Sequence, residues 1–313
     1  MMKDIRCPEC QSKHVVKRGK RKQRFRVLQI YQCKECKRRF VIKPLGHKMY
    51  PIRIIFNAIN YYNLGYTLDE TSKLLNKNFK VKTSKSIVHL WINEFQSLCP
   101  ISSMRKSFTG YEDVLFTKKF EHENLDYEFM YHRYKLDTIV KGIYPGLMRY
   151  ITGFENGCPD VFFEVGERCS KPMFEVQVKA KKRVNLACKM AGFAAQVARI
   201  NRERHKLIET FMLINDEATI ACEVPVWYWD ENIDAGITGH IDMIQVRNNL
   251  VYILDYKPDA AKDKKAPRQL YHYASALSFR TKIPLKSMRC VWFDEHSYFE
   301  YSPTEADVTL VKK

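Results

Sequence analysis

The sequence predicts a multidomain chain of three parts: a small β unit, an α-helical unit and a larger α/β domain. Three observations carry this. Two Cys-x2-Cys pairs, Cys7/Cys10 and Cys33/Cys36, bracket a basic spacer with short apolar strands. Residues 51–98 repeat apolar side chains at helical spacing. Beyond residue 184, helical and strand-like periods alternate, which is the signature of an α/β domain. The predicted boundaries are 1–45, 46–104 and 105–313, with the α/β core over about 184–301.

The first unit reads as a zinc ribbon. Four thiolates in two tight knuckles suit a tetrahedral ion, and four protein ligands leave no open position, so the predicted zinc is structural. Two redox-active pairs are the alternative, disfavoured because no βαβ pattern surrounds them. The chain carries a net charge of +18, and all of the excess lies near the start. Residues 1–50 hold 16 Lys+Arg against 3 Asp+Glu, residues 51–110 hold 8 against 3, and residues 111–313 hold 29 against 29. A neutral domain joined to a strongly basic one predicts an enzyme carried by a nucleic-acid-binding module. Lys17, Arg18, Lys20, Arg21, Lys22 and Arg24 are the predicted phosphate contacts of the spacer; an RNA-binding or merely solubilising arm is the plainer reading.

In the second unit Pro51 starts a helix bearing Ile52, Ile55, Phe56 and Ile59. Thr67-Leu68-Asp69-Glu70 forms a capping box for a short helix to Asn76. A polar turn follows to Lys82, and Thr83 or Ser84 caps a helix with Ile87, Leu90, Trp91, Phe95 and Leu98 on one stripe. Its other face shows Lys85, Ser86, His89, Asn93 and Gln96. This order reads as a helix-turn-helix, with Lys85 and His89 facing DNA.

Residues 99–183 are the least legible. Cys99 to Gly110 reads as a linker, Tyr111 to Tyr150 as partly helical, and Gly153 to Pro172 as turn-rich. Cys158 and Cys169 could bind a metal, but read more simply as buried or incidental thiols. A long helix is predicted from Val184 to about Ile214, then strands at 219–229, 236–246 and 250–257, a helix from Pro267 to about Arg280, and strands at 290–294 and 298–301. No apolar run is long enough to span a membrane and Met1 to Arg6 has no signal-peptide core, which predicts a cytoplasmic protein without a membrane partner.

The chemistry concentrates in one hairpin. Asn248-Asn249 suits a two-residue turn, so opposed residues sum to 497 and Asp242 faces Asp255. Lys257 lies two residues on, on the same face. Leu250–Leu254 is almost continuously apolar, and an Asp and a Lys continuing such a strand need a reason. Two acids and a lysine converging there predict a divalent-cation site, Mg2+ or Mn2+, for phosphodiester hydrolysis; two surface acids are the plainer reading. Glu223 is the only acid of its strand, and a candidate for a second ion or a water. His205 is a candidate imidazole ligand late in the long helix. Gln269 and Tyr273, four apart, share a helix face and are candidates to hold DNA or the lysine.

The motif order His205, Glu223-Val224-Pro225, Gly239-x-x-Asp242, Asp255-Tyr256-Lys257 and Gln269-x-x-x-Tyr273 resembles the RecB-like branch of the PD-(D/E)xK nucleases, the CRISPR-associated RecB-like exonucleases among them. The resemblance covers about residues 200–300. It implies a restriction-endonuclease-like domain, metal ligation by His205, Asp242 and Asp255 with the carbonyl of Asp255 or Tyr256, and orientation or activation of water by Lys257. Many such relatives carry an iron–sulfur cluster. Only Cys290 follows the lysine here, so no cluster is predicted. The zinc ribbon and helical unit resemble the DNA-binding region of insertion-sequence transposases over roughly residues 5–97. Their catalytic acid triad has no counterpart here. A metal-dependent deoxyribonuclease, of exonuclease type, is the leading reading. A transposon-derived regulator with an inactive nuclease domain is the alternative, and RNA processing a third.

Overall fold

The computed structural model describes residues 7, 9–10, 12–23, 26–41, 50–108, 114–122, 125–164, 167–168, 174–231 and 234–310. Arg24, Cys169 and the Pro44-Leu45-Gly46 end of the first unit lie outside them.

The first unit is a three-stranded antiparallel sheet in the order β1 (Val15–Gln23), β2 (Arg26–Cys33), β3 (Arg39–Val41). Its register slips by one residue between Lys17 and Lys20. Gly19 sits in that bulge at φ 92°, a conformation that a side chain disfavours.

Three helices follow: α1 (Ile52–Asn63), α2 (Leu68–Phe79) and α3 (Lys85–Phe95). Both bonds of the predicted capping box at Thr67 and Glu70 form, and Ser84 caps α3 by accepting from Ile87 N. Helix α2 runs three residues past the predicted Asn76, closing at Lys80 in the left-handed conformation. Leu90, predicted to be buried, is 65% exposed beside Lys85, Ser86, His89 and Asn93. Val88 takes the inward place instead, because the buried stripe is set by Val88, Trp91 and Phe95.

These helices are not a separate globule. Phe56 stacks on Phe211 at 5.2 Å and Phe95 lies 4.9 Å from Phe193, so α1 and α3 share one apolar core with the α/β domain. A buried amide chain joins them: Asn63 donates to Asn215, which donates to Asn60, both at 2.7 Å. The predicted linker is a run of 3-10 turns with Cys99 and Ile101 buried. Arg105 donates there to the carbonyls of Tyr62, Gly65 and Tyr66, closing the end of α1.

The α/β domain is built on a mixed sheet. Its strands are β4 (Leu115–His122), β5 (Leu125–His132), β6 (Glu167–Arg168), β8 (Lys181–Arg183), β9 (Thr219–Asp230), β10 (Ala235–Arg247), β11 (Leu250–Tyr256), β12 (Met288–Phe293) and β13 (Tyr298–Tyr301). The order is β4-β5-β9-β10-β11-β12-β13-β8, with β6 on the edge of β10. Among the described residues only β11–β12 and β6–β10 are parallel. A separate pair joins β7 (Phe174–Gln177) to β14 (Asp307–Leu310).

One expectation is refined here and one corrected. Within the partly helical stretch 111–150, residues 115 to 132 are a hairpin that widens the sheet beyond β9, and the helical part follows at Arg133–Lys135, Leu136–Val140 and α4 (Pro145–Gly153). Alternation of Phe116, Phe120, Phe129 and Tyr131 with lysines and acids is a strand pattern, and aromatic residues favour it. The long helix is two, α5 (Leu186–Ala195) and α6 (Arg204–Asn215), joined by a turn. His205 therefore stands in the first turn of α6 and not late in a helix.

Apolar layers cover both sheet faces. Helix α7 (Ala266–Thr281) packs Leu270, Tyr273 and Leu277 on one; α5 and α6 pack Phe193, Phe211 and Met212 on the other. No helix among the described residues is long and apolar enough to cross a membrane.

Candidate metal centres

The predicted hairpin register holds. Asn248 and Asn249 form the turn with φ 51° and 57°, and pairing runs from Arg247–Leu250 to Met243–Leu254, every pair summing to 497. The ladder stops one pair short of Asp242 and Asp255. On the other side of β10 the register against β9 puts Ile241 opposite Val224 and Met243 opposite Cys222, so Asp242 falls opposite Glu223. Three acids thus lie in one row across three adjacent strands: Glu223, Asp242, Asp255.

Like charges directly opposed repel, and the backbone bears the mark. Glu223 has φ 50°, costly for a residue with a side chain. The alternation of both strands breaks there. Cys222 and Met243 pack towards α6, whereas Val224 and Ile241 pack towards α7. Below the break, β10 leaves β11 and is met by β6 at Ile237 and Thr238. Residues Gly239 to Asp242 lie between these two pairings, in a notch on the edge of β10. The main-chain N–H of Tyr256, which the register would set against Ile241, donates to Asp242 Oδ2 at 3.0 Å.

Helix α6 roofs this row. His205 Nδ1 lies 3.7 Å from Asp242 Oδ2, and its ring packs edge-on against Tyr256. Glu209, one turn further, is 2% exposed, and its Oε1 has no hydrogen-bond partner among the described residues. One ligand atom each from His205, Glu209 and Asp242 lie within 4.8 Å of one another, a spacing that could hold a metal ion. Glu209 was not singled out from the sequence. Its signal was present: an acid four residues after the histidine, hence on its face, among Ile208, Phe211, Met212 and Leu213.

Asp255 is fully buried, with Lys257 Nζ 2.8 Å from Oδ2. Burial, then Asp242, pushes its carboxyl well above the usual range. Burial, then Glu223, Asp242 and Asp255, does the same to Glu209. Burial and Asp242 push Glu223 up to about 8. Burial also opposes ionisation of Asp242, but His205, Asp255 and Lys257 together outweigh it and hold its carboxyl low. For Lys257 burial is outweighed by Asp255 and Asp242, so its pKa is raised. Burial and mutual repulsion thus favour the protonated form of Asp255, Glu209 and Glu223 and the charged form of Asp242 and Lys257, and a divalent cation would convert such acids to ligands.

Gln269 and Tyr273 are on α7, where Gln269 Nε2 donates to Tyr273 Oη at 2.7 Å. Tyr273 is packed in the core on the α7 face of the sheet.

In the first unit the four sulfurs of Cys7, Cys10, Cys33 and Cys36 lie within 4.8 Å of one another, with Cys7–Cys36 and Cys10–Cys33 at 3.5 Å. A tetrahedral zinc with bonds of about 2.3 Å sets sulfurs roughly 3.8 Å apart. The arrangement is compatible with structural zinc. Burial opposes the Cys7 thiolate, but N–H groups of Cys10 and Glu9 favour it and bring the thiol down to about 7. Lys17, Arg18 and Lys20 are exposed along β1, with Arg18 bonded to Gln32. Arg21 and Lys22 continue that strand. Comparison of the chain with protein families, with curated proteins and with solved structures gives no match.

Proposed function

We propose that the chain is a metal-dependent deoxyribonuclease of RecB-like PD-(D/E)xK type, acting as an exonuclease and brought to DNA by its zinc ribbon and helix-turn-helix. The row Glu223–Asp242–Asp255, with Lys257 beside it and His205 and Glu209 above it, carries this reading. A folded protein has no stability reason to set three acids side by side around a fully buried one; a cation that needs hard oxygen ligands supplies one.

His205, Glu209, Asp242 and Asp255 would hold Mg2+ or Mn2+, with the carbonyl of Asp255 or Tyr256 as the further ligand the resemblance implies. Such an ion lowers the pKa of water and polarises a phosphoryl oxygen. An imidazole in the donor set favours Mn2+ over Mg2+. Glu223, opposite Asp242, would receive a proton at the far side of the row. Lys257, held against Asp255 and kept protonated, orients the attacking water and offsets charge growing on the phosphate. Gln269 and Tyr273 would hold DNA or the lysine.

Cleavage assays with Mg2+ and Mn2+, with and without EDTA, test the reading. Asp242→Ala should abolish cleavage and leave DNA binding intact. Undiminished metal-dependent cleavage by that variant would overturn the assignment.

The ribbon makes a separate prediction. Cys33→Ser removes a buried thiolate from the four-sulfur set, so bound zinc falls below one per chain and affinity for long DNA drops. Hydrolysis of a short oligonucleotide remains, because the ribbon shares no ligand with the acid row. Zinc analysis and gel shifts read both effects; full zinc content in the variant would refute the four-thiolate site.

A further inference from the structure

The α/β domain is neutral as a whole, with 29 basic and 29 acidic residues in 111–313. Its charge is nevertheless arranged around the acid row. Asp255 and Glu209 are closed off from solvent, and Asp242 is only 14% exposed in its side chain. His205 and Lys257 are the open members, with side chains 42% and 21% exposed. The mouth of the site therefore lies between the chain segments that carry these two residues: the first turn of α6 and the loop from Pro258 to Lys265.

Both segments spend their acids internally and leave cations facing outward. On the loop, Asp263 Oδ1 accepts from the N–H groups of Lys265 and Ala266, and Asp259 is matched by Lys262 at 3.9 Å. Lys264 and Lys265 are exposed, and their ammonium groups have no partner among the described residues. Asp263 is close enough for its charge to act on Lys257, which fixes this loop beside the site. On the other lip, Glu203 Oε2 is taken by the N–H of Arg199, and Glu295 accepts from the Tyr256 hydroxyl. Arg204, next to His205, lies close enough to act on that same tyrosine. Its guanidinium has no ion pair among the described residues.

We infer that the α/β domain carries its own track for a sugar–phosphate backbone, with Arg204 on one lip and Lys264 and Lys265 on the other, so that a polynucleotide phosphodiester crosses the acid row between them. The inference rests on the nuclease reading for what happens to the phosphodiester, but not for its binding. It also alters the division of labour that net charge implies. The N-terminal units are not needed to hold the nucleotides at the site, only to choose which DNA is delivered.

The probe is a fluorescein-labelled DNA hexanucleotide, and the protein is the full chain. Lys264→Glu with Lys265→Glu should raise the KM for the hexanucleotide about tenfold and change kcat little. It should also lower the salt dependence of its binding by about 1.4 in log–log slope, at ~0.7 per contact on a single strand. Arg204→Glu should act in the same direction. Mn2+ binding, followed by electron paramagnetic resonance, should be unchanged in both. Lys282→Glu with Lys286→Glu, exposed at the opposite end of α7, is the control. An unchanged KM and slope in the first two variants, or an equal loss in the control, would overturn the track. A chain that cleaves nothing would defeat the nuclease reading alone, because anisotropy of the hexanucleotide still reads the track.

Discussion

Replacing Asp255 with Asn raises the melting temperature of the metal-free protein while lowering cleavage by about 10^3-fold or more, a loss of several kcal/mol of transition-state stabilisation. The two effects have one cause. Asp255 is buried beside Asp242, and its pKa is driven up. An acid whose folded pKa exceeds its unfolded value of about 3.9 binds its proton more tightly in the folded chain. Its contribution to stability is fully present below pH 4 and is lost as pH rises through the folded pKa. Glu223, driven to about 8, and Glu209 add to the same trend. The metal-free wild type should therefore lose stability from about pH 4 towards pH 8, and the Asn variant should lose less. The gain at pH 8 should be about 1 kcal/mol or more, worth roughly 2–4 °C. Glu209→Gln should behave likewise: more stable without metal, weaker in Mn2+ binding. Thermal melts across pH, with and without Mn2+, measure both terms. A destabilised Asn variant in the absence of metal would show that the row holds itself together without an ion.

Which parts of this were legible in the sequence follows from how local each signal is. The hairpin at Asn248-Asn249 was readable because turn chemistry and strand period lie within ten residues of one another, and its register held through Met243–Leu254. The pairing of Asp242 with Asp255 was legible as a register and misleading as a ladder. Repulsion among three acids and the left-handed Glu223 open the strands where the pattern alone would keep them bonded. The third acid needed a second register, that of β9 on β10, which no tight turn fixes. Glu209 was hidden for another reason. An isolated acid on an apolar helix is noticed only when the helix is phased correctly, and taking residues 184–214 as one helix put His205 at the wrong end. The strands at 115–132 were missed because their partner, β9, pairs with them from more than eighty-five residues further along the chain, at Met130–Cys222 and Tyr131–Ala221. The shared core of α1, α3 and α6 was equally out of reach. Amphipathic helices state that they bury a face, not against what.

The last of these long-range contacts predicts the largest loss of stability. Lys135 is fully buried, and its ammonium donates to the carbonyls of Leu213, Asp216 and Thr219, the last at 2.9 Å. Leu213 lies in the final turn of α6, Asp216 directly after it, and Thr219 opens β9. One cation thus closes the helix whose first turn holds His205 and ties it to the strand that holds Glu223. A positive charge at a helix C-terminus is favourable there, and three carbonyls use all three of its protons. Burial opposes the charge more than Asp216 supports it and draws the pKa down to about 7. Lys135→Met keeps the volume and removes every donor, leaving buried carbonyls unpaired and Asp216 without its counter-charge. The expected cost is about 3–5 kcal/mol, seen as a shifted midpoint in urea with an unchanged slope. Lys135→Arg should not rescue it, because a planar fork cannot meet three carbonyls arranged around a single nitrogen. If Lys135→Met folds with wild-type stability, the ammonium is not what holds the end of α6, and the position of His205 over the acid row must come from the apolar contacts of Phe211 and Met212 alone.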